Sequence, residues 1–308
     1  MAGQYDVDLP TQRLPTPKDQ NIARLIASMT PLDQMERPPL KICIMGDQGT
    51  GKTYSAMELL QLITPEDKKI IYSDSGEGWS TLQNEPKLKR RVMRQPYENL
   101  EQLLILAAAI RDKVPPFDKV GAVLLDEYSS MVKGDKTWIV KARSQQAEKK
   151  GEFRDPFMPQ RPDYLASQIR SEEVVSAFLS CGIHVGFVSH EKLDKDTLMI
   201  RPDFAPGAAN DFQRLLHSVI RATVKLDKGT KEVTRQFQLQ QIGNRVSVKN
   251  RVGGLGNFCS NMTEFAEAYK KWGGQDQAPS NTQLTEEQTE EIANDDELLR
   301  LLNKEEGN

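Results

Sequence analysis

Residues 46–53 read Gly46-Asp47-Gln48-Gly49-Thr50-Gly51-Lys52-Thr53. The spacing is Gly-x-x-x-x-Gly-Lys-Thr, the pattern of a loop that wraps a polyphosphate. Each position has a physical task in such a loop. A row of phosphates needs backbone N–H groups pointing inward, and glycines permit the positive φ angles and close approach this requires. Lys52 supplies a flexible point charge for the outer phosphates. The Thr53 hydroxyl suits a Mg²⁺ ion. All eight residues are therefore the candidate nucleotide-binding set, with ATP and Mg²⁺ as the expected ligands.

The flanks agree with that reading. Leu40-Lys41-Ile42-Cys43-Ile44-Met45 is a short apolar run suited to a buried strand. A helix is expected after Gly51 and before Pro65. A phosphate loop opening a helix also gains from the partial positive charge of the helix N-terminus.

Working outward, the chain alternates strand and helix. Lys69–Ser73 reads as a second strand and Tyr97–Val114 as a long helix. Ala122–Leu125 reads as a third strand ending in Asp126-Glu127. Residues 132–163 suggest a helix followed by a loop, and Tyr164–Leu179 a helix stopped by Gly182. His184–Val188 reads as a fourth strand ending in Ser189-His190. This alternation predicts an α/β fold with a mainly parallel, doubly wound sheet. The pattern then changes to consecutive strands, Ser218–Leu226, Val233–Gln241 and Arg245–Lys249, with a hairpin turn at Asp227–Thr230. Antiparallel strands are thus expected on the C-terminal side, followed by a helix over Asn261–Trp272.

The expected organisation has three parts. Residues 1–38, with Pro10, Pro15, Pro17, Pro31 and Pro38, form an extended N-terminal arm with one short helix near Asn21–Met29. Residues 39–273 form the α/β domain. Residues 274–308 form an acidic tail with a short amphipathic helix within Leu284–Leu302. The chain carries −3 overall, but Gly273–Asn308 holds ten acids against Arg300 and Lys304, which leaves +5 on the rest. A mildly basic body is compatible with a polyanion partner, and the tail with a protein partner or with solubility alone. No run of 18 apolar residues exists and no secretory signal opens the chain, so a cytoplasmic protein is expected. Cys43 and Cys181 lie in apolar surroundings and read as small buried hydrophobes.

The strand ends carry the remaining candidates. In an open α/β sheet the ligand crevice lies at the carboxyl ends of the strands. Asp126, closing an apolar strand, is the candidate Mg²⁺ ligand beside Thr53. Hydrolysis needs a carboxylate to orient or deprotonate water, and two are available. Glu127 directly follows Asp126, and Glu77 lies in Ser73-Asp74-Ser75-Gly76-Glu77-Gly78 after the second strand. Ser189 and His190 are placed to detect a terminal phosphate.

This order of motifs resembles the RecA-like P-loop NTPases. More narrowly, it is similar to phage-encoded RecA-like recombination ATPases associated with single-strand annealing proteins. The residues that carry the resemblance are Asp74–Gly78, Ser189-His190-Glu191, Pro206-Gly207 and Lys249-Asn250-Arg251, over about residues 40–255. The resemblance implies ATP hydrolysis in DNA recombination, repair or replication, on single-stranded DNA, by a homo-oligomer. It also implies that Lys249 and Arg251 act in trans on a neighbour's γ-phosphate. The second-strand acid stands one residue later than in the family, which favours Glu127 over Glu77. Basic residues interleaved with Trp138, Phe153 and Phe157 over 132–161 suit a single-strand-binding surface. A nucleotide-dependent switch or assembly ATPase that binds protein partners is the alternative. A small-molecule kinase ranks last, because no arginine-rich lid is recognisable.

Overall fold

The structure is a computed structural model of the chain, and it describes residues 37–76, 78–195, 198–204, 208–226, 233–242 and 246–272. The chain divides into two units, Met1–Arg37 and Pro38–Asn308, and the strands and helices below belong to the second. The expected arm helix, the turn at Asp227–Thr230, Pro206-Gly207, Arg245 and the acidic tail lie outside the described residues, as does Glu77.

Six strands run parallel: β1 (Lys41–Gly46), β2 (Lys69–Asp74), β3 (Val92–Arg94), β4 (Val120–Asp126), β5 (His184–Asp194) and β7 (Ser218–Leu226). Four short partners are antiparallel: β6 (Met199–Pro202), β8 (Val233–Gln238), β9 (Lys249–Asn250) and β10 (Phe258–Cys259). The order across the sheet is β10-β8-β7-β1-β5-β4-β2-β3, with β6 added to β5 and β9 to β7. The fold is therefore α/β, with a mostly parallel sheet and antiparallel additions on the C-terminal side. One strand, β5, separates the loop-bearing β1 from the acid-bearing β4.

Seven helices of the described residues complete it: α1 (Lys52–Ile63), α2 (Trp79–Gln83), α3 (Leu100–Arg111), α4 (Tyr128–Lys149), α5 (Arg161–Leu179), α6 (Ala208–Leu215) and α7 (Met262–Lys271). The period of two along the strands sorts the core between the sheet faces. Ile42 and Ile44 of β1 point with Leu124 and Ile220 toward Met57 and Leu60 of α1 and Phe265 of α7. Cys43 and Met45 point with Val123 and Phe187 toward Leu103 of α3, Tyr128 of α4 and Phe178 of α5. Both faces are covered, which is why β1, β4 and β5 read as continuous apolar runs.

Local chemistry explains the boundaries. Asn99 accepts from the Gln102 N–H and starts α3 three residues later than the Leu- and Ala-rich run suggests. Asn261 does the same for α7 through the Glu264 N–H. Asp163, fully buried, accepts from the Gln160 N–H and from Arg143 and Arg154, so α5 starts at Arg161 and not at Tyr164. Two histidines anchor the beginning of β1. His184 Nδ1 accepts from the Leu40 N–H at 3.0 Å and His217 Nδ1 from the Lys41 N–H at 3.1 Å. Cys259 joins Cys43 in the core, while Cys181 is half-buried and donates to the Ala107 and Ala177 carbonyls. No helix among the described residues is long and apolar enough to cross a membrane.

Candidate functional site

The expected phosphate loop leaves β1 at Gly46 and enters α1 at Lys52. Its glycines take the angles that the motif demands: φ is 154° at Gly46, 81° at Gly49 and 82° at Gly51. A side chain at Gly46 is also excluded by packing, because a Cβ there would stand 2.4 Å from the Ala222 carbonyl oxygen of β7. Thr50 Oγ1 donates to the Asp47 carbonyl at 2.9 Å and tightens the bend. Helix α1 has no side-chain cap and no acid in its first turn. Its leading amides and partial positive charge therefore face the loop without an internal anion. Lys52 is 8% exposed, and its ammonium turns back onto the Asp47 carbonyl. Burial lowers the Lys52 pKa, and Asp126 and Asp47 act against that shift.

Three adjacent strands bring the other expected residues to the same edge. Asp126 ends β4 in register with Asp74 of β2, and Gly46 is in register with His190 of β5. Thr53 Oγ1 donates to Asp126 Oδ2 at 2.8 Å, so the loop's hydroxyl and the strand's carboxylate are in contact. Asp126 is fully buried. Burial raises its carboxyl pKa, and the hydrogen bonds from Tyr72 and Thr53 oppose the rise. A hydroxyl and a carboxylate converging at one point are the hard oxygen donors that Mg²⁺ takes. That ion commonly keeps several waters and needs only one or two protein oxygens beside phosphate. The residues present therefore fit Mg²⁺.

Glu127 follows in a left-handed backbone conformation, φ 54° and ψ 43°, at the N-terminal boundary of α4. That conformation is costly for a residue with a Cβ, by roughly 1–2 kcal/mol. It turns the chain sharply and places Glu127 on the wall of a cleft of about 600 Å³, shared with Lys52, Thr53, Asp126, Ser189 and His190. Gly76 and Gly78 approach these acids closely. A Cβ at Gly78 would stand 2.5 Å from Asp126 Oδ2 and 2.6 Å from the Tyr72 hydroxyl, and one at Gly76 3.1 Å from Glu127 Oε2. Ser189 is fully buried, and its hydroxyl donates to the His190 carbonyl at 2.8 Å.

Lys249 and Arg251 lie elsewhere. Strand β9 pairs with the start of β7, Val219 opposite Lys249, and Val219 is itself beside Cys43. The Arg251 N–H donates to the His217 carbonyl, and His217 N–H to the Lys41 carbonyl. Both residues thus sit at the edge where β1 begins, away from their own loop. The Lys249 ammonium donates to the carbonyls of Arg214 at 3.2 Å and Leu216 at 3.0 Å, closing the end of α6. A trans role for Lys249 requires release of those carbonyls. In the basic segment, Arg143 and Arg154 are bound to Asp163, and Arg170 covers Trp138 at 5.1 Å; Phe153 and Phe157 are exposed.

Sequence reasoning missed three contributors. Tyr72, within the expected second strand, donates its hydroxyl to Asp126 Oδ2 at 2.7 Å. Asp74 is buried and pairs with Arg94 at 3.1 Å while accepting from the Trp79 N–H, which fixes the turn after β2. Arg235 of β8 lines the cleft, its guanidinium 5.7 Å from the Tyr54 ring centroid and close against Gly51. It is the second cation of the cleft, and nothing in Val233-Thr234-Arg235-Gln236 sets it apart from a solvent-facing strand residue. Compared with models of known families and with curated proteins, the chain matches none.

Proposed function

We propose that this chain is a Mg²⁺-dependent, ATP-hydrolysing P-loop protein of the RecA-like class that acts on single-stranded DNA in phage-type recombination, repair or replication. The observation that carries the nucleotide reading is the 2.8 Å contact between Thr53 and Asp126. It joins the phosphate loop to a strand-end carboxylate across the sheet, which a loop resembling the motif by coincidence has no reason to do. The placement of Ser189-His190 on β5, between β1 and β4, supports the RecA-like class, since it puts a polar pair beside the outer end of a bound polyphosphate.

In this reading the amides of Gly49–Thr53 and the Lys52 ammonium hold the polyphosphate. Thr53 and Asp126 would hold Mg²⁺, which neutralises charge on the outer phosphates when bound. Glu127 orients a water and takes its proton as the new P–O bond forms. The bond to the β,γ-bridging oxygen breaks, leaving ADP and phosphate. Lys52 and the loop amides stabilise the charge that develops, and His190 contacts the terminal phosphate. Arg235, over Gly51 and Tyr54, contacts the inner end of the nucleotide. Lys249 and Arg251 serve a neighbouring copy in an oligomer.

The exposed Phe153 (94%), Phe157 (83%) and Met158 (68%) favour the second reading, a nucleotide-dependent assembly ATPase with a protein partner. ATP hydrolysis measured with and without single-stranded DNA separates the two. Stimulation by the strand is expected; hydrolysis that no DNA alters, or no hydrolysis at all, counts against the proposal.

A further inference from the structure

A second cavity, of about 400 Å³, opens between α4, α5 and the β5–β6 hairpin. Its walls carry Lys133 and Lys136, one helical turn apart on α4, Lys192 from the extended end of β5, and Tyr164 with Ser167 from α5. Among the described residues that line it, Asp203 is the one carboxylate. Lys133 Nζ is 2.8 Å from one Asp203 oxygen and Lys192 Nζ 3.9 Å from the other. Lys133 and Lys192 share that carboxylate, and with Lys136 the concave site carries three ammonium groups against one carboxylate, an excess of positive charge. The Lys136 ammonium lies over the Tyr164 ring, 4.6 Å from its centroid, and Tyr164 is 50% exposed, so a cation and a half-exposed aromatic stand together. Ser129, 2% exposed, also lines the cavity, and its hydroxyl has no hydrogen-bond partner among the described residues.

We propose that this cavity binds a segment of single-stranded nucleic acid. Its phosphodiesters sit on Lys136 and Lys192, the latter in competition with Asp203, and an unstacked base lies on Tyr164 as the Lys136 ammonium moves from the ring to the phosphate. Lysine ammonium groups suit a phosphodiester, which needs charge but no bidentate fork. A half-exposed tyrosine beside them is the sequence-tolerant platform that an unpaired base seeks. A free inorganic anion would leave the ring unused. The site is also wired to the nucleotide cleft. The Asp203 N–H donates to the His190 carbonyl at 2.8 Å, the same carbonyl that receives the Ser189 hydroxyl. A strand that draws Lys192 off Asp203 therefore acts on the segment that faces the terminal phosphate. The proposal rests on the single-strand part of the function proposed above, and it gives that part an address.

The test uses the full chain and fluorescein-labelled oligo(dT), with affinity measured over a salt series, and with Mg·ATP-induced thermal stabilisation recorded on the same variants. The Lys136→Ala/Lys192→Ala variant is expected to bind more weakly, with its log–log salt slope reduced by about 1.4, two phosphates at roughly 0.7 each. Tyr164→Ala is expected to lose about 5- to 100-fold in affinity with the slope unchanged. Asp203→Asn is expected to bind more tightly, and Lys136→Arg/Lys192→Arg to keep wild-type affinity. All four should keep the Mg·ATP stabilisation, which Lys52→Ala loses. Wild-type slope and affinity in the double alanine variant overturn the proposal, as does displacement of oligo(dT) by inorganic phosphate beyond the effect of chloride at equal ionic strength. Failure of oligo(dT) to bind the wild-type chain also overturns it while leaving the ATP reading standing. A Lys52→Ala chain that keeps the Mg·ATP effect does the reverse.

Discussion

Tyr72 and Thr53 donate to the same oxygen of Asp126, Oδ2, at 2.7 and 2.8 Å, while Oδ1 accepts the Glu127 N–H at 3.0 Å. Removing one donor from a buried acceptor costs about 1–3 kcal/mol. Tyr72→Phe is therefore expected to lower stability by that amount in urea denaturation, and to raise the Mg²⁺ concentration needed for nucleotide binding. An unchanged midpoint and Mg²⁺ requirement would show that the tyrosine is only filling space.

Asp126 with no metal bound is a buried carboxyl group. Burial raises its folded-state pKa above the ordinary carboxyl value, so the folded chain takes up the proton at a higher pH than the unfolded chain. The resulting stabilisation is fully present below the unfolded pKa and lost as pH rises through the folded one. Asp126→Asn removes the carboxylate charge. In the absence of Mg²⁺ it is expected to melt roughly 2–4 °C higher than wild type at pH 8. The gap should narrow as the buffer is acidified toward the ordinary carboxyl range. Mg·ATP should no longer stabilise the variant. A gap that stays constant with pH would argue against the buried-charge account.

Glu127 combines a left-handed backbone with a cleft-facing carboxylate. Glycine adopts that backbone without penalty. Glu127→Gly should be stabilised by up to about 1 kcal/mol and yet lose hydrolysis. Glu127→Gln should keep nucleotide binding and lose roughly 10²- to 10⁴-fold in turnover. Turnover retained by the Gln variant would pass the water-orienting role to Glu77.

Gly78 holds the turn after β2 against Asp126 and Tyr72. Its φ of −55° suits any residue, so the objection to a side chain there is spatial. Gly78→Ala is expected to cost about 1–3 kcal/mol and to weaken Mg²⁺-dependent binding, because the new methyl displaces Asp126 or Tyr72. Calorimetric titration of Mg·ATP into this variant checks the second effect, which a merely destabilised turn would not show.

Arg235 is exposed, so Arg235→Ala should change stability by no more than about 0.5 kcal/mol. ATP affinity is expected to fall about 10-fold, the loss of one charge-assisted contact. Equal affinity in the two proteins would leave Arg235 as a packing partner of Tyr54.

Much of this architecture was legible for a physical reason. Strands β1, β4 and β5 are buried on both faces, so their apolar runs announce them, and the loop's chemistry is confined to eight consecutive residues. Contacts made across distance leave no such trace. The Tyr72 hydroxyl meets Asp126 only because β2 and β4 are neighbours, and in Ile70-Ile71-Tyr72 it reads as one more core side chain. The consecutive strands announce that β8 folds back on β7, but Arg235 reaches the cleft because β7 lies beside β1, which no local pattern records. The extension of β5 through Glu191-Lys192-Leu193-Asp194 is polar because it leaves the sheet's covered region to pair with β6 alone. Strands β3 and β10, three and two residues long, are too short to carry a period. Within its own chain Lys249 closes α6, since an ammonium near a helix end finds carbonyls at hand, a contact that its sequence neighbours do not announce.

The position of β9 has a geometric corollary. Lys249 and Arg251 occupy the border where β1 begins, and the Gly46–Thr53 bend the border where it ends. A copy that lends the first border to another copy's second keeps its own second border vacant for a third. Such contacts carry direction. Repeated head to tail, they close a cycle or wind into a fibre.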